Sequence, residues 1–230
     1  TIEGKKQVEN NYFKVINGFP VVFDIHMEPA FLMTQFSGLE ALYPQNLINQ
    51  FTKELLDGKQ EVNINNEKFS ILNSKFLILY LALHIFHHNF RGAFRYQFLD
   101  KVIRSSHPKI KDWQFIDKKI KEYKLSNFVL PVFQLLHRYY QTPLPDFMNF
   151  MYGSVVTDPY FKNLNIFNDE PRIGAGINRF KNIFFLSPQP LWRRCIVFFN
   201  PQVLYLIFWV SQRKLSSFFS NRQVIRSNPF

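Results

Sequence analysis

The chain has 230 residues, 47% hydrophobic and 18% aromatic, with a formal net charge of +11. This composition excludes a globally disordered chain and leaves room for one full core or two small units. A single cysteine, Cys195, excludes an internal disulfide and a cysteine-based metal site, and it suits a reducing, cytoplasmic compartment.

Thr1 to Asn17 reads as a polar lead-in. The chain begins without Met and carries no signal-peptide pattern, which raises the expectation of a fragment. Phe19 to Pro29 then alternates with the period of a strand, predicted over Val21 to Met27. Val22, Asp24, His26 and Glu28 share one face, and Val21, Phe23, Ile25 and Met27 share the other. A strand with one wholly apolar face that presents Asp24 and His26 on the other is a candidate site strand. The alternative is an edge strand with its polar face in water.

From Ala30 to Gly58 the pattern is helical, with Phe31, Phe36, Leu39, Leu42, Leu47, Ile48, Phe51, Leu55 and Leu56 as expected core. Pro44 divides this stretch in two, and Gly58 is a natural stop. Glu61 to Leu72 predicts a β-hairpin turning at Asn65-Asn66, because asparagine tolerates the positive φ of a tight turn. Asn73 or Ser74 is expected to cap the next helix.

That helix is the centre of the reading. Phe76 to Arg104 begins apolar on every face, as a helix buried all round does. At 100° per residue Leu77, Leu81, His84, His88, Arg91 and Arg95 form one stripe, provided the helix continues through Gly92. Imidazoles are costly to bury without partners, so the stripe points to a polar cleft at the far end. Satisfied core histidines with a solvated arginine rim are the competing explanation. His84, His87 and His88 also have helical ligand spacing for a metal, with Asp100 one helical length later; core histidines are commoner than such sites.

Ser105 to Pro108 breaks the chain, and Asp112-Trp113 opens a helix with Trp113, Ile116, Ile120 and Tyr123 inside. Val129 to Tyr140 predicts another, ending before Thr142-Pro-Leu-Pro145. Tyr152 to Gly176 reads as mostly loop. From Pro171 to Phe230 there are nine Lys/Arg and no acid, with an apolar run at Cys195 to Val210 interrupted at Asn200-Pro201-Gln202. That run falls short of the ~20 residues a membrane span requires. A loosely packed or membrane-surface tail is expected, with affinity for anionic lipid or nucleic acid; a solvated basic surface is the plain alternative. Phosphate-loop, dinucleotide-binding, zinc-protease and nucleophile-elbow motifs are absent from the sequence, as is a D-x-D or D-x-E pair on an apolar strand.

The order of the pieces carries more than any one of them. Asp24 and His26 in FDIHMEP, a hairpin, His84, His88 and Asp100 in LHIFHHNFRGAFRYQFLD, Asp112-Trp113 and Pro143-Leu-Pro145 follow one another over roughly Tyr12 to Met148. This series resembles the C-terminal part of an uncharacterised nucleotidyltransferase family of the polymerase-β-like superfamily. The resemblance implies an α+β, mainly α fold: the remnant of a nucleotidyltransferase sheet (one strand) and a β-hairpin with a multi-helix domain. It implies residues 1–29 as the end of the catalytic core, 30–150 as a helical domain with its hairpin at 61–72, and 151–230 as a loop-rich basic, aromatic tail. It further implies transfer of a nucleotidyl group from an NTP to an acceptor, with Asp24 as third catalytic carboxylate and Mg²⁺ ligand. His26, His84, His88, Arg91 and Arg95 would bind substrate. The G-[GS] turn and D-x-D pair of the superfamily are absent, so this chain alone is expected not to transfer nucleotides; it is either truncated or has lost its catalytic half. The rival expectation is a non-catalytic helical module that binds anionic membrane or nucleic acid, cytoplasmic or peripheral at a membrane.

Overall fold

A computed structural model describes residues 9–16, 19–26, 39–150, 161, 163–168, 172–201, 204 and 208. It is mainly helical, as the periodicity predicts. The predicted strand is β2, Phe19–His26, but it is not a single remnant: it pairs antiparallel with β1, Glu9–Ile16, from the segment read as a polar lead-in. In that register Asn11 stands opposite Asp24 and Glu9 opposite His26. Met27, Phe31 and Phe36 lie outside the described residues.

A 3₁₀ turn at Leu39–Ala41 leads through Pro44, the N-cap, into α1, Gln45–Asp57. Proline before the first helical residue costs no internal hydrogen bond. Ile48, Phe51 and Leu55 are buried on one face, whereas Leu56 is exposed and does not join the core. Gly58 closes α1, its N–H donating to Glu54 O at 2.9 Å. β3, Lys59–Ile64, and β4, Glu67–Leu72, form the predicted hairpin, with φ of 52° at Asn65 and 67° at Asn66. Positive φ at both central residues is what a twisted two-residue hairpin demands.

Asn73 links this hairpin to α2, Ser74–His87. Its Oδ1 accepts from Phe76 N at 3.2 Å and its Nδ2 donates to Gly58 O at 2.6 Å. One side chain thus caps α2 and ties it to the end of α1. Helices α3 (Ala93–Ser106), α4 (Ile110–Glu122) and α5 (Ser126–Tyr140) pack around α2. α5 begins three residues before the predicted Val129 and keeps Pro131 inside it. The predicted inner face of α4, Trp113, Ile116, Ile120 and Tyr123, is buried. Phe86 of α2 meets Phe128 of α5 with ring centroids 4.7 Å apart, and Trp113 meets Phe133 edge-on at 5.8 Å. Such aromatic pairs contribute about 0.5–1.5 kcal/mol beyond their burial.

Polar side chains fasten α1 to α4. Lys119 Nζ lies 2.6 Å from Glu54 Oε2 and 3.0 Å from Glu122 Oε2. Burial alone would raise the Glu54 carboxyl, but hydrogen bonds from Lys119 and Tyr123 and the nearby lysine charges outweigh it and hold the group below its ordinary value of 4.5. Lys119 is lifted above 10.5 by the same carboxylates, against the effect of its burial. A depressed carboxylate stabilises the fold above its unfolded value and loses that contribution as pH falls through its folded value. Wild-type chain is therefore expected to exceed Glu54→Gln in melting temperature near pH 7, the gap closing as pH falls through the lowered folded value of the Glu54 carboxyl. A gap that persists at low pH would mean that the pair does not act through charge.

After α5 come α6, Asp146–Phe150, and α7, Arg172–Leu186, so Arg172 to Gly176 is helix where a loop was expected. α8, Leu191–Cys195, runs directly into a 3₁₀ turn at Ile196–Phe199. This region is docked rather than loosely packed: Ile183 and Val197 are buried, and Ser187 Oγ donates to Leu42 O at 2.5 Å. Among the described residues no helix is long and apolar enough to cross a membrane.

Candidate functional site

The predicted continuous helix ends at His87. Asn89 N donates to Phe86 O at 2.8 Å and Phe90 N to Ile85 O at 3.1 Å, the paired bonds of a Schellman ending, with Asn89 at φ 54°. Asparagine is second only to glycine at that left-handed position. Phe90 follows at φ 60°, an unfavourable angle for a side chain with Cβ. It is held by burial against Phe86 and Phe161, and its carbonyl accepts from Tyr96 Oη at 3.1 Å. Gly92, at φ 95°, completes the reversal. A Cβ there would lie 2.3 Å from Arg95 Nη1 besides being strained in φ.

Because the chain turns back, α3 lies against α2 instead of extending it, and a groove of about 610 Å³ opens between them. The half-exposed face of α2 includes Leu77, Leu81, His84 and His88, the part of the predicted stripe that precedes the break. Tyr80, Leu81, His84 and Ile85 line the groove from α2, and Phe94, Arg95, Gln97, Phe98 and Lys101 line it from α3. α3 divides by helical period: Tyr96, Leu99 and Ile103 are buried, whereas Phe94, at 65% exposure, and Phe98, at 53%, stand one turn apart in the open. The Arg95 guanidinium lies over the Phe94 ring, 4.3 Å from its centroid. The His84 ring stacks on Tyr80 at 6.2 Å and meets the His88 ring edge-on at 4.7 Å.

The predicted stripe is therefore divided. His84 and Arg95 share the groove, with His88 against His84. Arg91 lies elsewhere: it lines a second cavity of about 330 Å³ with Asn178, Lys181, Asn182 and Phe185. Its Nη1 donates to Asn168 O at 3.2 Å, and its Nε is buried without a hydrogen bond. Asp100 belongs to neither cavity. Arg104 Nε donates to its two carboxylate oxygens at 2.9 and 3.0 Å, and the buried Thr142 hydroxyl donates to it at 2.6 Å. The reading of His84, His87, His88 and Asp100 as a metal site is not supported: among the described residues no group of three or more His, Cys, Asp or Glu is placed to hold an ion. The β1–β2 ladder brings two carboxylates, Asp24 on β2 and Glu9 opposite His26 on β1, and Mg²⁺ held by so few would take its remaining oxygens from water and substrate phosphate; among the described residues no group of three or more His, Cys, Asp or Glu is placed to hold it by protein ligands alone. Tyr80, Phe94, Phe98 and Lys101 are groove residues that the predicted stripe did not include: Tyr80 lies on α2 about 40° from His84, and for the other three a continuous helix assigned α3 the wrong phase.

A mostly apolar wall in which two exposed rings alternate with two cations is suited to a ligand that combines a flat ring with negative charge. No curated protein and no solved structure matches the chain. β1 and β2, with Asp24 and His26, precede the segment for which a family match exists, and the groove lies inside it. Residues 40–141, from the first 3₁₀ turn to the end of α5, match the model of a family described as an uncharacterised nucleotidyltransferase.

Proposed function

We propose that the chain is the substrate-side portion of a nucleotidyltransferase and that the groove between α2 and α3 receives the NTP. The observation that carries this reading is the pairing of Phe94 and Phe98 with Arg95 and Lys101 along one wall, inside the matched segment. A nucleobase stacks on an exposed ring with little regard to its identity, and the cations attract the phosphates. His84 faces the same space and supplies a hydrogen-bonding nitrogen to a phosphate or base edge. Asp24 stands as the third catalytic carboxylate, and His26 joins it on β2. Transfer to an acceptor is a property of the intact enzyme, with the implied Mg²⁺ lying beyond what the described residues hold. Arg91, in its separate cavity, acts on the acceptor side.

Calorimetric titration of the chain with each of the four NTPs tests this. Arg95→Ala and Phe98→Ala are each expected to weaken binding about tenfold, the worth of one stacking or charge-assisted contact. Phe98 is exposed, so its melting temperature should stay at the wild-type value. Absence of saturable NTP binding, or binding indifferent to both substitutions, would refute the groove.

A further inference from the structure

α8 and the 3₁₀ turn that follows have their amphipathic sense reversed. At 100° per residue Leu191, Trp192, Cys195, Ile196 and Phe199 fall within an arc of roughly 150°. All five are exposed, Trp192 at 69% and Phe199 at 82%. The opposite face is the docked one. Val197 is buried there, and Arg194 donates to Gln189 O at 2.6 Å and to Phe184 O and Phe185 O at 3.2 and 3.0 Å. That guanidinium caps the last turn of α7, which is where a cation is favoured. The segment is thus held firmly by its inner face while its bulkiest apolar side chains point outward. The pattern continues beyond Asn200: Leu204 N donates to Asn200 O at 3.0 Å, and Leu204 and Phe208, one helical turn apart, are both exposed.

Single exposed apolar residues need no explanation, but a contiguous set on one helical face marks an interaction surface. We propose that this face is a membrane-docking element that lies in the interface of an anionic bilayer. Charge complementarity decides the occupant. Arg193 is exposed beside Trp192 on the same short helix, and from Pro171 to Phe230 nine cations stand without one acid. An anionic lipid surface attracts such a segment, while a tryptophan beside leucine, isoleucine and phenylalanine matches the boundary between headgroup and acyl chain. Single-stranded nucleic acid suits the face less well: Trp192, Phe199 and Phe208 could each stack a base, but Leu191, Ile196 and Leu204 interrupt them with aliphatic surface that offers no ring and no hydrogen bond. The surface is separate from the α2–α3 groove, so its fate does not depend on the nucleotide reading.

Flotation of the full chain with phosphatidylcholine vesicles, with and without about 30% phosphatidylserine, tests the assignment. Recovery on the anionic vesicles is expected, falling several-fold between roughly 0.1 and 0.5 M salt as charges are screened. Trp192→Ser combined with Phe199→Ser, and separately Arg193→Glu, should each reduce recovery about tenfold or more with unchanged melting temperature. Tryptophan fluorescence of the unsubstituted chain, read against vesicles of brominated lipid, provides a measure that needs no variant, and quenching is expected. No recovery, equal recovery on neutral vesicles, or absence of quenching would overturn the proposal. So would tight binding of single-stranded RNA that the double substitution abolishes, or dimerisation of the chain that the same substitution reverses.

Discussion

Asp100→Ala is expected to lower the stability of the chain by about 2–3 kcal/mol, the cost of stranding a buried hydroxyl that had a charged acceptor. Thr142 is fully buried, and its hydroxyl donates to Asp100 at 2.6 Å. The Arg104 part of the network contributes less, since that side chain is 48% exposed and water replaces its partner. Arg104 also donates to Tyr140 O and Gln141 O at 3.0 and 3.3 Å, satisfying the last carbonyls of α5. Beside them the Tyr140 phenol donates to Ala93 O at 2.8 Å. Burial, and then the Asp100 carboxylate, hold that phenol above its ordinary 10.0. Asp100 therefore joins α3 to the end of α5. Urea unfolding with and without Mg²⁺ and NTP should give the same loss in both conditions. Unchanged stability together with disappearance of a Mg²⁺-dependent thermal shift would show instead that Asp100 is a ligand.

Where the chain's local chemistry acts alone, the sequence is easily read. Asn65-Asn66 forms a turn, Asn73 a cap and Gly58 a stop, because each works through its own backbone or near neighbours. The inner face of α4 follows from period alone. Leu56 was also within reach of periodicity: it stands about 80–140° from Ile48, Phe51 and Leu55, the buried stripe on α1. The first hairpin was legible too. Ile16 and Phe19 are cross-strand partners, and the two residues between them, Asn17-Gly18, are the dipeptide most typical of a hairpin turn. Polar residues in Glu9–Ile16 masked a half-apolar strand.

The groove was harder to see, for a physical reason. A left-handed Asn89 followed by a left-handed Phe90 is held by tertiary contacts, namely the burial of Phe90 against Phe161 and the bond from Gly92 N to Ile166 O at 3.0 Å. Those partners lie more than seventy residues away in sequence. Asn89 and Gly92, three apart, were the only local sign that α2 had to stop. Taking the helix as continuous placed Arg91 beside His88 and Arg95 in one stripe. The reversal keeps Arg95 with His84 but sends Arg91 into another cavity. Similarly, Gly174 and Gly176 argued for a loop, and the burial of Ile183 together with the Arg194 cap holds α7 helical in spite of them.

Asp24→Ala in the intact enzyme is expected to remove NTP turnover, by at least about a thousandfold, while leaving the melting temperature near that of the wild type. The expectation rests on the proposed role of β2 as third-carboxylate strand. On that strand Asp24 stands opposite Asn11 and His26 opposite Glu9, so the polar residues gather at one end of the ladder. A carboxylate used for its charge near other acidic groups relieves repulsion when it is removed, and stability is not where its loss should register. Asp24→Asn, of the same shape, should fail equally, since the charge is what is required. His84→Ala and His88→Ala provide the contrast. Their rings pack against each other, and His84 against Tyr80, so each substitution is expected to cost about 1–2 kcal/mol of stability, with His84→Ala also weakening NTP binding in the groove. Turnover, NTP titration and thermal melts on these variants separate the three roles. An Asp24→Ala enzyme with normal turnover would show that β2 is not the catalytic strand. The groove would then stand on its own evidence, because Phe98→Ala and Arg95→Ala report on it independently of β2.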